Sequence, residues 1–326
     1  MQGSLFFEKK FIFSLDCSRI IIYSKDHSEG EYFMKHLLLL LNPTSGTRKA
    51  AKNLADIISV FNRAEFDTHV YVTACRGDAV KAIQQFGQTA DLIVCCGGDG
   101  TLNETVAGVI EAGLDIPIGY IPSGSTNDFA NSLLLSGDVI EAAQQIVSGV
   151  PAAYDVGKFG DRYFTYIASF GAFTKAGYTT PQNIKNTLGH MAYVLEGMQE
   201  LTALRPEHIR IELEGETVED DFLFGAICNS TSVGGILKLK PDLVDMADGK
   251  FEILLIRAPR DLQELHDCVR ALHTQTYNSG MITFRSAGNV HVTGNPAMAW
   301  SLDGERADGS GKIRIENLHR RITMIH

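Results

Sequence analysis

No lysine follows the glycines at 97–100 or 122–124, no cysteines pair at ligand spacing, no basic excess is present, and no apolar run is long. Each absence closes off a class of function. Without GxxxxGK[ST] there is no Walker-type P-loop. Without a G-x-G-x-x-G followed by an acidic residue about twenty positions later, the dinucleotide fingerprint is missing as well. The six cysteines contain no C-x-x-C pair, and Cys95 and Cys96 sit in an apolar run, so they read as reduced core thiols of a cytosolic protein. His190, His266 and His273 have no Cys or His partner at ligand spacing, which speaks against zinc. A net charge of −10 opposes nucleic-acid binding. No stretch approaches the roughly 18 apolar residues of a membrane span. FIFSLDCSRIIIY at 11–23 carries Asp16 and Arg19 and shows no cleavage site, so no signal peptide is read there. No internal repeat or low-complexity tract is visible.

What is present is organised around LIVCCGGDGTLNE at 92–104. Leu92 to Cys96 form an uninterrupted apolar run, suited to a strand buried on both faces. Gly97, Gly98, Asp99 and Gly100 follow, and Thr101 is the expected N-cap of a helix marked by Leu102, Val106, Val109 and Ile110. A strand that turns through glycines into a helix N-terminus aims backbone N–H groups at one spot, and phosphate is the usual occupant. A tight βα turn without a ligand is the alternative.

Strand and helix alternate from Leu37 onward. Leu37–Leu41, Thr68–Thr73, the central run and Ile116–Ile121 read as strands; Ala51–Phe61 and Ala79–Phe86 read as helices, with further helical segments to about Val147. That order predicts a doubly wound parallel sheet, whose ligand crevice lies at the carboxyl ends of the strands. The polar turns at 42–46, 97–101 and 122–128 all fall on that edge. After Asp155 short strand-like segments dominate: Tyr163–Phe170, His208–Glu214, Phe222–Asn229, Phe251–Ile256, Met281–Arg285, Asn289–Val292 and Ala297–Leu302. Helical patterns remain at Ile184–Leu204 and Leu262–His273. This predicts a β-sandwich. Ile313–Ile315 and Ile322–Ile325 read as last strands of open sheet assignment. The expected organisation is an extension over 1–33 outside the fold, an α/β nucleotide domain over 34–156, a β-rich substrate domain over 157–311, and last strands over 312–326.

The turns offer hydroxyls, small residues and the carboxylates Asp99 and Asp128. Carboxylates do not hold phosphate; they hold Mg²⁺ that holds phosphate, or they bind a hydroxyl. Plainer roles stand beside this: Asp99 and Asp128 as helix caps, Asp155 as a surface turn residue, Asp303-Gly304-Glu305 as a hairpin turn, and Asp245 with Asp248 as a solvated loop.

NPTSG at 42–46, GGDGTLNE at 97–104, PSGSTNDFA at 122–130, LVDMADGKFE at 243–252 and SLDGE at 301–305 resemble, in order and spacing, the diacylglycerol-kinase catalytic domain family. The resemblance runs from about Met34 to the C-terminus. GGDGT alone is shared with NAD kinases and resembles the GGDG of phosphofructokinases; the combination is specific. It implies ATP wrapped by Asn42, Pro43, Thr44, Ser45 and Gly46 and by Gly97, Gly98, Asp99, Gly100, Thr101, Leu102, Asn103 and Glu104. Thr73, Gly124, Ser125, Thr126 and Asn127 would complete the nucleotide pocket, and Asp99 would help carry the catalytic Mg²⁺. Asp128, Asp155 and Asp303 would form a charged network, with Asp303 the general base and Glu305 its rival. A second, structural Mg²⁺ would be held by the Asp245 and Lys250 carbonyls and the Asp248 carboxylate.

Two departures stand out: Asn131 where many relatives have arginine, and a glycine-rich stretch reduced to Gly234-Gly235. The implied partners are ATP and a lipid alcohol, diacylglycerol first, met at the membrane surface by a cytoplasmic protein with no transmembrane segment and no nucleic acid; a homodimer is compatible. A soluble-substrate kinase of the NAD-kinase type and a non-catalytic nucleotide or lipid binder are the alternatives.

Overall fold

The computed structural model describes residues 12–16, 19–23, 34–171, 205–233, 237–239 and 241–326. The helical pattern at 184–204 and Gly234-Gly235 lie outside the described residues. Two compact units are present: unit 1 comprises Met1–Ser125, Leu135–Ala152 and Thr323–His326, and unit 2 comprises Thr126–Leu134 and Ala153–Ile322.

In unit 1, β1 (Ile12–Asp16) and β2 (Arg19–Tyr23) form an antiparallel hairpin. The parallel sheet consists of β3 (Lys35–Leu41), β4 (Phe66–Val72), β5 (Leu92–Gly97) and β6 (Ile118–Pro122), in the order β4–β3–β5–β6. Met324 and Ile325 add parallel pairs to Ile118 and Gly119 on the far side of β6. Leu37 to Leu41 are at most 3% exposed, and every residue of β5 and β6 is buried, as uninterrupted apolar runs require between two helix layers. Successive side chains point to opposite faces. Leu37, Leu39, Leu41, Val94 and Cys96 therefore meet Ile57 and Phe61 of α2 (Leu54–Arg63) and Ala142 and Ile146 of α6 (Val139–Ser148). On α4 (Asp99–Glu111), Gly108 leaves room only for Ile83 and the backbone at Val80 of α3 (Asp78–Phe86), so these two helices pack closely. Asp138 caps α6 by accepting from the amides of Ile140 and Glu141 (2.9 and 3.1 Å).

Unit 2 is antiparallel. Its strands are the larger part of β7 (Pro151–Phe159), β8 (Arg162–Phe164), β9 (Ile167–Gly171), β10 (Glu207–Leu213), β11 (Glu216–Cys228), the two-residue β12 (Ser232–Val233) and β13 (Leu237–Lys238), β14 (Phe251–Arg257), β15 (Ile282–Ala287), β16 (Asn289–Thr293), β17 (Ala299–Leu302), β18 (Glu305–Asp308) and most of β19 (Lys312–Ile325). Neighbours run β18–β17–β9–β11–β10–β16–β19, with β14 also on β11 and β15 on β14. The inward residues form one core around Trp300, whose ring lies 4.9 Å from Phe159 and 5.0 Å from Phe170, edge to face.

Two strand expectations are corrected. Tyr163–Phe170 is not one strand: the chain bends at Thr165 and Tyr166, where three successive amides turn to a single carboxylate instead of to a neighbouring strand. Ile313–Ile315 and Ile322–Ile325 belong to one strand, β19, which continues through a positive φ at Arg320.

Candidate active site

In unit 1 the three polar turns meet. The amide of Asn42 donates to Cys96 O (2.9 Å), and that of Ser123 donates to Gly97 O (2.8 Å), so each turn is hydrogen-bonded to the end of β5. Gly46 has φ +50°, and a Cβ there would overlap the Ser123 carbonyl oxygen. A Cβ on Gly98 would come within 3.1 Å of Gly124 Cα and 3.6 Å of Ser45 Oγ. Glycine is required at 46, where backbone occupies the space a side chain would need, while a Cβ at 98 would be a tight contact with the backbone of the next turn. The result is a rim of main chain contributed by 42–46, 97–101 and 122–125, at the N-terminus of α4.

The helix start differs from expectation. Gly98, extended at φ −95°, is the N-cap, and its carbonyl accepts from the amides of Thr101 and Leu102 (3.0 Å each). Asp99 is the first helical residue. Thr101 is inside the helix and its hydroxyl accepts from Asn42 Nδ2 (3.0 Å), linking two of the turns. Asn42 Oδ1 in turn accepts from the amide and hydroxyl of Thr44. Thr73 donates through its amide and hydroxyl to Leu41 O (2.9 and 3.3 Å), which fixes the end of β4 to the end of β3. Glu104 accepts from the amide of Gly77 (2.8 Å), so a fourth turn, 73–78, is braced from α4. Within it, Asp78 accepts from the amides of Ala74 and Cys75 (2.9 and 3.0 Å); these bonds, Ala74's first, hold its carboxyl below the usual range. Asp78 went unremarked in the sequence, although Gly-Asp before an apolar helix is a start signal.

Unit 2 contains Asp128, Asp155 and Asp303, at most 6% exposed. The surface-turn reading of Asp155 does not hold: it is fully buried. Its carboxylate accepts from the amides of Gly249 (2.7 Å) and Arg320 (2.6 Å). Asp303, at φ +48° between β17 and β18, accepts on Oδ2 from the amide and hydroxyl of Thr165 (2.6 and 2.9 Å). On Oδ1 it accepts from the amides of Tyr166 and Ile167 (3.0 Å each). Both oxygens thus receive two donors, the usual capacity of a carboxylate. Glu305, about two-fifths exposed, stands 3.5 Å from Arg162 Nη2. Asp128 begins the short helix Asp128–Ser132 but is not its cap; Asn127, at φ +52°, holds that position, and Thr126 O accepts from Asn131 Nδ2 (3.1 Å).

The main chain at Asp128 (through Ser132), Asp155 and 165–166 is bonded to one further segment, 229–231, which sequence reasoning treated only as a strand end. Asn229, fully buried, donates from Nδ2 to Asp155 O (2.8 Å) and Thr165 O (3.4 Å), and from its amide to Tyr166 O (2.9 Å). Ser230 Oγ lies 2.6 Å from Ser132 Oγ, whose hydroxyl donates to Asp128 O, and Thr231 Oγ1 also donates to Ser132. The available signal was the polar run NSTS immediately after the apolar end of β11.

In the 245–250 loop, Asp245 accepts from the amide of Ala247 and Asp248 from that of Lys250, whose own carbonyl accepts from Asn317 Nδ2 (3.0 Å). Glu252, 3% exposed, has an Oε2 that no donor reaches among the described residues. Burial, then the charges of Asp248, Asp245 and Asp155, push its carboxyl up to about 8. Among the described residues no three His, Cys, Asp or Glu side chains converge as a ready metal set. The oxygen-only donors and the surplus negative charge of this loop nevertheless fit a hard divalent cation completed by carbonyls.

Two family models match the chain: the diacylglycerol kinase catalytic domain over residues 36–159, and the YegS C-terminal NAD kinase beta sandwich-like domain over 169–323. A Bacillus subtilis protein named diacylglycerol kinase is 34% identical over 294 residues, covering 90% of this chain and 96% of the relative. The chain belongs to the diacylglycerol kinase family. This is a family of lipid kinases. A second diacylglycerol kinase family relative, from Staphylococcus saprophyticus, is 30% identical over 272 residues, covering 83% of this chain and 89% of the relative. A crystal structure described as a diacylglycerol kinase from Bacillus anthracis matches the fold with a TM-score of 0.70 at 24% identity, covering 91% of this chain and 98% of that one. Among the described residues no helix is long and apolar enough to cross a membrane.

Proposed function

We propose that this diacylglycerol kinase family member is an ATP- and Mg²⁺-dependent enzyme that phosphorylates the hydroxyl of a lipid alcohol, diacylglycerol first, giving phosphatidic acid. The observation that carries the reading is the main-chain rim of unit 1, where a side chain at Gly46 would collide with the neighbouring turn and one at Gly98 would press on it. Such a rim suits a polyphosphate, bound through backbone N–H groups at a helix N-terminus. Asn42 to Gly46, Thr73, Gly97 to Glu104 and Gly124 to Asn127 would hold the nucleotide, and Asp99 would carry the catalytic Mg²⁺, which would supply charge neutralisation at the phosphates. The Asp245 and Lys250 carbonyls and the Asp248 carboxylate would hold a second, structural Mg²⁺. Binding and charge neutralisation do most of the work in phosphoryl transfer.

The acceptor oxygen attacks the γ-phosphorus, the bond to the β-phosphate oxygen breaks, ADP leaves, and the acceptor proton passes to a carboxylate. Of the two bases left open by the resemblance, Glu305 is the better supported, because both oxygens of Asp303 already receive two donors each. Asp303 then fixes the turn that presents Glu305. The acyl chains of such a substrate stay in the bilayer, so the protein works at the cytoplasmic membrane surface, where ATP is available.

The test is transfer of label from γ-labelled ATP to diacylglycerol in mixed micelles, with sphingoid bases and NAD in parallel. Labelled phosphatidic acid is expected. Label on NAD alone, or on none of the three, overturns the reading.

A further inference from the structure

We propose that Asn229 is a positioning residue of the transfer reaction: it ties the 245–250 loop to the turn carrying Asp303 and Glu305. The inference rests on the role given to that turn above. The links are continuous within unit 2. Asp155 holds the loop, accepting from the amide of Gly249 (2.7 Å) and donating from its own amide to Met246 O (2.8 Å). The carbonyl of Asp155 accepts from Asn229 Nδ2 (2.8 Å). The second N–H of that amide group faces Thr165 O (3.4 Å), and the backbone N–H of Asn229 donates to Tyr166 O (2.9 Å). Thr165, Tyr166 and Ile167 are the three residues whose amides close on Asp303, whose own amide donates back to Ile167 O (2.9 Å).

The donor end of one side chain therefore spans two carbonyls on two separate segments, one carrying the Asp155 carboxylate that holds the loop and the other gripping the carboxylate of Asp303. Its other end is costly. No donor reaches Asn229 Oδ1 among the described residues, although the residue is fully buried. A buried acceptor left in that condition is destabilising. What Asn229 supplies is the double donor: an apolar side chain would withdraw it from the carbonyls of both Asp155 and Thr165. Misplacement of a reacting group by about 1 Å costs on the order of 100-fold in rate, so loosening this tie acts on kcat rather than on nucleotide binding.

Asn229→Leu removes both donors and keeps the number and branching of the side-chain heavy atoms. The experiment compares it with the full-length wild type and with Ile211→Val, a core variant of the same unit. It reads kcat, KM for ATP, thermal stability, and hydrogen exchange at Thr165, Tyr166 and Ile167. In the leucine variant kcat is expected to fall on the order of 10–100-fold with KM for ATP unchanged. The three amides exchange faster, and Ile211→Val shows neither effect. Wild-type kcat in a folded Asn229→Leu protein, or a fall in kcat with exchange at 165–167 unchanged, overturns the inference; so does an equal fall in Ile211→Val. A wild type that labels no lipid overturns the functional reading instead, and exchange at 165–167 then still decides whether Asn229 holds the bend.

Discussion

The two units build their candidate sites by opposite means. Unit 1 removes side chains: Gly46, Gly98 and Gly124 let three turns approach until main chain touches main chain, and the chemistry offered is that of amides. Unit 2 buries side chains: Asp155 and Asp303 lie in the interior, each paired with backbone N–H groups of another segment. An anion site made of backbone tolerates almost no added atom. A carboxylate site tolerates changes of shape but not of hydrogen-bond polarity. The two surfaces should therefore fail differently under mutation.

The largest effect is expected at Glu305. Glu305→Gln should lower kcat by about 10²–10⁴, the usual contribution of a general base, while ATP affinity measured by calorimetry stays at the wild-type value. In unit 1, Gly46→Ala places a methyl group against the Ser123 carbonyl at a positive φ. Here the affinity for ATP should fall together with activity, and a variant that binds ATP normally would show that the rim is not the phosphate seat. Asp303→Asn keeps the shape of unit 2 but turns an NH₂ toward amides that need an acceptor. A loss of about 1–3 kcal/mol in unfolding free energy is expected, read by urea denaturation, with activity falling in proportion to the displaced turn.

A smaller, pH-dependent effect belongs to Asp78. Its folded carboxyl titrates below its unfolded value because the amides of Ala74 and Cys75 donate to it. The stability it contributes is therefore present above the unfolded value of about 3.9 and is lost as pH falls through the folded value. The difference in Tm between wild type and Asp78→Asn should be constant near neutrality and shrink below about pH 4. The smallest effect is expected from thiol reagents. Burial pushes Cys95 up to about 12 and Cys96 and Cys228 well above the usual thiol range, so native protein should be labelled at Cys75, which is exposed, and not at these three.

The contrast also explains what the sequence disclosed. Glycine turns announce themselves, because the residue type that permits the close approach is visible at 46, 98 and 124. LLLLL and LIVCC gave the central strands for the same reason: a strand covered on both faces has no polar position to interrupt it. The buried carboxylates were less legible. Asp155 has no local signature, and its burial comes from segments about 90 and 165 residues away in the chain, which only three-dimensional pairing reveals. Asn229 was hidden at a strand end. The misplaced cap at Thr101 has a local cause: Gly98 reaches the extended conformation a cap requires, and Thr101 is then free to bond Asn42 across the turns. The bend at Thr165 was invisible because its amides answer to Asp303, more than 130 positions later.

The most direct measurement is the initial rate of phosphate transfer from ATP to diacylglycerol in mixed micelles for wild type, Glu305→Gln and Gly46→Ala, with ATP binding measured on the same three samples. The prediction is a split: Glu305→Gln binds ATP as the wild type does and transfers at least about 100-fold more slowly, whereas Gly46→Ala loses binding and transfer together. A Glu305→Gln enzyme that transfers at the wild-type rate, or a Gly46→Ala enzyme that binds ATP undiminished, would contradict it.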